Sequence, residues 1–191
     1  MNINLSWDLF VIVFFVIIMA YSLIIGRDNT LKVILGTYVA ALAADAVGNL
    51  FGIYFSGSEI FMKLLRMATV NTDQEAVIFV KVLIFVIFVI LFAVKGAFEV
   101  RTSDDSSPVV RMGMTIVYAV MSAGLVISVI LAFVSGVSFI GGGSTETVGA
   151  ALLPIYSKSA LIRSMVQSMY MWFFVPAVAF LVHSFYTRKD E

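Results

Sequence analysis

The sequence predicts an all-α fold, a polytopic integral membrane helical bundle forming one domain over residues 1–191. Composition, hydropathy and the spacing of apolar runs predict it. The chain is 61% hydrophobic and 13% charged, whereas soluble domains are about 45–50% apolar and about 25% charged. Mean hydropathy is +1.06. Several apolar runs reach the roughly 20 residues that carry a helix across a bilayer, and turn or capping residues separate them. Four to five transmembrane helices with short interfacial helices between them follow. The length leaves no room for a sizeable soluble domain. A net charge of zero and the lack of a basic tract argue against a nucleic-acid partner. With no cysteine there is no disulfide and no thiolate ligand; no cofactor is expected.

Segment one covers about 7–25. Residues 1–6 carry no Lys or Arg, and no A-x-A site follows the long apolar run, so it reads as a retained helix and not as a signal peptide. Ser6 suits an N-cap and Trp7 the headgroup region. Its core, FVIVFFVIIMA, is bulky on every face and suits lipid. Gly26-Arg27-Asp28-Asn29-Thr30 reads as a turn, with Asn29 or Thr30 capping the next helix. So short a link makes the flanking helices antiparallel neighbours.

Segment two, about 31–55, is the expected centre of the bundle. Small residues recur at every fourth position: Gly36, Ala40, Ala44, Gly48 and Gly52. On a helix they form one ridge that admits another backbone closely. Thr37, Ala41, Asp45 and Asn49 form a second ridge beside it. A carboxylate and an amide this deep should not face lipid.

Ser56-Gly57-Ser58 breaks the pattern, and about 59–70 has the spacing of an interfacial amphipathic helix or of a loop helix packed on the bundle. Thr72-Asp73-Gln74-Glu75 is a capping box opening segment three, about 76–97. That run is dense in Val, Ile and Phe, but its length favours a spanning helix over a strand. Residues 99–111 form a polar loop. Segment four, about 112–140, carries its own ridge of Gly124, Ser128, Ala132 and Gly136, expected to pack on segment two. After the Gly141-Gly142-Gly143-Ser144 break, about 147–162 suits a surface or partly re-entrant helix. Segment five covers about 164–186, with Pro176 expected to kink it and Trp172 and Tyr186 as interface anchors.

With all these segments spanning, Arg27, Lys32, Lys95, Arg101, Arg111, Arg188 and Lys189 fall on one side, and Lys63, Arg66, Lys158 and Arg163 on the other. The positive-inside rule then places the N-terminus outside and the C-terminus in the cytoplasm.

Asp45, Asn49 and Lys81 are the candidates for chemistry. At about 1.5 Å per residue, Asp45 lies roughly 15 Å, Asn49 roughly 9 Å and Lys81 roughly 7 Å from the outer ends of their helices. The Lys81 stem can turn inward to Asp45 or snorkel outward to the headgroups. A structural polar cluster is the preferred reading. A small channel or transporter using this intramembrane site is the alternative, motivated by the cost of an acid near mid-membrane. His183 is the single histidine and lacks a second ligand for a metal site. Gly141-Gly142-Gly143 lacks the Lys-Ser/Thr of a phosphate loop. No Ser-His-Asp arrangement is suggested, and no enzyme is expected.

Asp8 opens an apolar helix that ends at Gly26-Arg27, followed by Leu31-Lys32 and an Ala-rich second helix. A polar loop closed by Arg111, a Gly/Ala-dotted helix through Gly124, and Ser159-Ala160-Leu161-Ile162 follow in order. In this the sequence resembles the colicin V production protein (CvpA-like) family over about 8–163. It departs from that family where Ser107-Pro108-Val109-Val110-Arg111 replaces a Gly-rich, Asp-Arg-containing entry to the fourth helix. The resemblance implies a multi-pass protein of the bacterial cytoplasmic (inner) membrane, linked to toxin production and envelope homeostasis, with no catalytic residues to carry over. The expected partners are the lipid bilayer and either further copies of the chain or other envelope membrane proteins.

Overall fold

The computed structural model describes residues 7–55, 72–95, 108–140 and 159–187 together with Ser58 and Lys63, the side chains of Trp7 and 183–187 excepted. The expected interfacial helix over 59–70 and most of that over 147–162 lie outside these residues. The described chain is an all-helical membrane bundle: α1 (Trp7–Phe55), α2 (Asp73–Lys95), α3 (Pro108–Val134), α4 (Ala160–Gln167) and α5 (Met169–Thr187). Among the described residues, α1, α2 and α3 are long and apolar enough to cross a membrane, and the bent pair α4–α5 passes the same test jointly. The protein is multi-pass.

At 49 residues, a straight α1 would run about 73 Å, more than twice the roughly 30 Å hydrocarbon core. It is not straight. Gly26 has φ 81° and ψ 175°, a left-handed backbone that side chains with a Cβ resist. Thr30 Oγ1 lies 2.9 Å from Ser22 O, groups that a straight helix would hold about 12 Å apart. The chain doubles back there into a first arm (7–25) and a second arm (27–55). The expected roles of Asn29 and Thr30 are corrected. Asn29 donates to Ile25 O at 3.0 Å, and Thr30 Oγ1 also sits 2.8 Å from Gly26 O. Both side chains close the end of the first arm instead of capping the start of the second.

The second arm runs antiparallel to α2: Gly36 lies against Phe92, Gly48 against Lys81 and Gly52 against Val77. The small-residue ridge is therefore filled at its glycines by α2, where sequence pointed to segment four. The first arm runs antiparallel to α3, since Leu23 borders Met112 and Ile116 while Val11 clusters with Ile127 and Leu131. The main core joins Leu31, Ile34, Ala40, Ala41 and Ala44 to Phe85, Leu125, Val129 and Phe133. Phe85 and Phe133 meet edge to face at 6.0 Å, a favoured aromatic geometry.

The capping box at the start of α2 forms in both directions: Thr72 N–H donates to Glu75 Oε2 and Glu75 N–H to Thr72 Oγ1, each at 3.2 Å. α3 begins at Pro108, earlier than expected, and stops at Val134 instead of continuing to 140. Gly136 is thus no member of a helical ridge. It has φ 83° in a closing turn where Gly136 N–H donates to Phe133 O and Val137 N–H to Ala132 O, the Schellman pattern that stops a helix. The rest of that ridge is buried, and Gly124 faces the Trp172 ring of α5.

The last segment begins at Ala160, ahead of the expected 164, and breaks at Ser168, where α4 and α5 meet at a 54° bend. Pro176, the expected kink, lies buried inside α5. Ser168 sustains the bend by donating its hydroxyl to Ser164 O at 2.8 Å and accepting Trp172 Nε1–H at 3.2 Å. End to end the bent pair extends roughly 35 Å at helical rise, enough for one broken crossing.

Candidate functional site: an intramembrane ion pair closed by the end of α3

Asp45, Gly48, Asn49 and Gly52 occupy positions i, i+3, i+4 and i+7 of the second arm, hence one face. That juxtaposition positions the site. Gly48 offers no side chain, so the Lys81 stem lies directly on the helix backbone there. The stem runs along the arm for one turn and delivers its ammonium to Asp45, with Nζ 2.6 Å from Oδ1. Lys81 therefore turns inward and does not snorkel. It is buried at 5% exposure, and Asp45 is at 0%. The ammonium also stands 5.9 Å from the centre of the Phe133 ring, a cation–π approach from α3.

The other carboxylate oxygen is held by the chain that follows α3. Ser138 Oγ–H donates to Asp45 Oδ2 at 2.9 Å, and Ile140 N–H donates to the same atom at 2.8 Å. Asn49 does not bond the ion pair directly. Its amide donates to Ser138 Oγ at 3.1 Å and so orients that hydroxyl toward Asp45. The structure thus brings Asp45, Asn49 and Lys81 together and adds Ser138 and the Ile140 backbone.

The arrangement has a clear physical purpose. Non-helical backbone is tolerated within a membrane only where its polar groups are satisfied. Residues 135–140 are such backbone, and Asp45 accepts one of their N–H groups. A bare carboxylate in lipid would be costly. Here one oxygen faces a cation and the other takes two hydrogen bonds, which is charge compensation with satisfied lone pairs.

A second polar node lies at the start of α1. Asp8 Oδ1 accepts from Ser159 Oγ and, at 3.3 Å, from Leu161 N–H. Ser159 is the N-cap of α4, its Oγ accepting Ile162 N–H at 3.0 Å. An aspartate at one end of the chain therefore supports the first turn of a helix near the other. Asp8 and Ser159-Ala160-Leu161-Ile162 both stood out as motifs in the sequence, but nothing in their spacing paired them. His183 lies in α5, its side chain outside the described set.

Of the remaining ridge residues, Ala40, Ala44 and Ala132 are at 0% exposure and Ser128 is at 1%. They serve close helix contact. Hydroxyls of Ser22, Ser122 and Ser128 are buried without a hydrogen-bond partner. No family model, curated protein or solved structure matches the chain.

Proposed function

We propose that this chain is a non-enzymatic structural protein of a bacterial cytoplasmic membrane, acting by association with other envelope membrane proteins or with copies of itself. The closed state of the Asp45 site carries this reading. A conducting or proton-relaying acid needs an approach for its ion, whereas Asp45 is fully buried with both carboxylate oxygens engaged. The glycines of the second arm are already covered by α2. Association must therefore use outward faces, such as Leu83, Ile87, Ile90 and Leu91 on α2 or Leu42, Leu50 and Ile53 on α1. The resemblance to the CvpA-like family, resting on the order of motifs from Asp8 to Ile162, supports a link to colicin V or toxin production, and the Lys/Arg bias supports an N-terminus outside.

Crosslinking in native membranes tests the association: adducts carrying this chain are expected, and monomer alone overturns it. Flux across proteoliposomes tests the site. The wild type is expected to be silent to protons and small ions. A wild-type flux abolished by Asp45→Asn would establish a transporter in place of the structural reading.

A further inference from the structure

We propose that a cleft between the first arm of α1 and the start of α3 binds an anionic phospholipid of the surrounding leaflet, with Arg111 holding its phosphate. The cleft measures about 540 Å³ and is lined by Leu23, Pro108, Arg111, Met112, Thr115 and Ile116. Its wall is apolar and open to the bilayer: Leu23, Met112 and Ile116 are 41%, 68% and 43% exposed. Its polar offering is the Arg111 guanidinium, because the Thr115 hydroxyl is turned back onto Arg111 O at 2.9 Å. Among the described residues no carboxylate pairs with Arg111. A cation above an apolar groove complements a lipid in both of its parts. The acyl chain follows Leu23 and Ile116, and the phosphate meets a planar fork suited to it.

The described cations of that end of the bundle point the same way. The antiparallel packing of α1 and α2 gathers Arg27, Lys32 and Lys95 at the end where Arg111 lies. The described acid there is Asp28, which lies 3.8 Å from Arg27. The opposite end carries Asp8, Asp73 and Glu75, with Arg163. Basic pockets between transmembrane helices are a recurrent means of holding anionic headgroups. Free phosphate would use the cation alone and leave the apolar wall without a role.

The test is lipid retention. Full-length protein is reconstituted in nanodiscs of phosphatidylcholine with a minor share of phosphatidylglycerol, then released and weighed by native mass spectrometry. The wild type is expected to retain phosphatidylglycerol above its share in the disc. Arg111→Gln is expected to lose about fivefold of that preference, the scale of one cation near an anionic surface, and Arg111→Lys to keep part of it. Ile116→Trp, filling the groove with every charge intact, should lose it too. Lys95→Gln removes a cation at the same end but outside the cleft and should change it little. Thermal melting confirms that each variant is folded. Equal loss in Lys95→Gln, unchanged retention in Arg111→Gln, or displacement of the lipid by millimolar inorganic phosphate overturns the proposal.

Discussion

At the scale of single residues, Asp45 and Lys81 depend on each other more than on anything else. Removing one partner of a buried pair costs about 3–5 kcal/mol, because the remaining charge is left uncompensated. Lys81→Met is therefore expected to destabilise the protein by about that amount, measured by denaturation in mild detergent. Asp45→Leu combined with Lys81→Met should recover much of the loss, and the shortfall should match the lost anchoring of Ser138 and Ile140. A double-variant loss equal to the sum of the two single losses would count against a coupled pair. Asp45, Asn49 and Lys81 were legible in the sequence because polar groups stand out in an apolar run. Ser138 and the Ile140 N–H were not. Serine is common in spanning helices, and a backbone donor has no letter of its own. Reading the helix through Ile140 also satisfied that N–H internally, which hid the need for an acceptor.

At the scale of elements, polar contacts decide where helices stop. Asp8→Ala removes an acceptor from the first turn of α4 and is expected to cost about 0.5–2 kcal/mol, as for a lost cap. Hydrogen exchange should show it as faster exchange at Leu161 and Ile162, with α2 unchanged; uniform change would indicate a global effect instead. Gly124→Ala forces a Cβ against the rigid Trp172 ring. It should lower the melting temperature in the wild type and lower it less in a Trp172→Leu background. The spans themselves were visible from hydropathy, and the capping box at Thr72 was visible from spacing. The end of α3 was obscured because the apolar pattern runs on past Val134, although Gly136 is the residue a helix stop requires. Pro176 drew attention as the kink since proline lacks an N–H. The bend at Ser168, where a hydroxyl bonds a carbonyl and an indole at once, carried no such mark.

At the scale of the whole molecule, the second arm sets the thickness of the bundle. Its residues 27–55 span roughly 43 Å at helical rise. Asp28 and Ser58 therefore belong on opposite faces of the membrane. The chain has no native cysteine to give background. Asp28→Cys and Ser58→Cys, each labelled with an impermeant maleimide in sealed vesicles, are expected to react from opposite sides; reaction of both from one side would overturn this topology. All-helical class and multi-pass character could be read from composition. The short link at Gly26 made the two arms of α1 neighbours, but the partner of the small-residue ridge was not legible, because several faces carry small residues and only three-dimensional packing selects among them.

The ion pair bears on how the protein is made. Residues 27–55 and 73–95 leave the ribosome separately, and each carries a charge that oil rejects. Asp45 can be neutralised only once Lys81 has been made, so the buried pair closes after both helices have emerged.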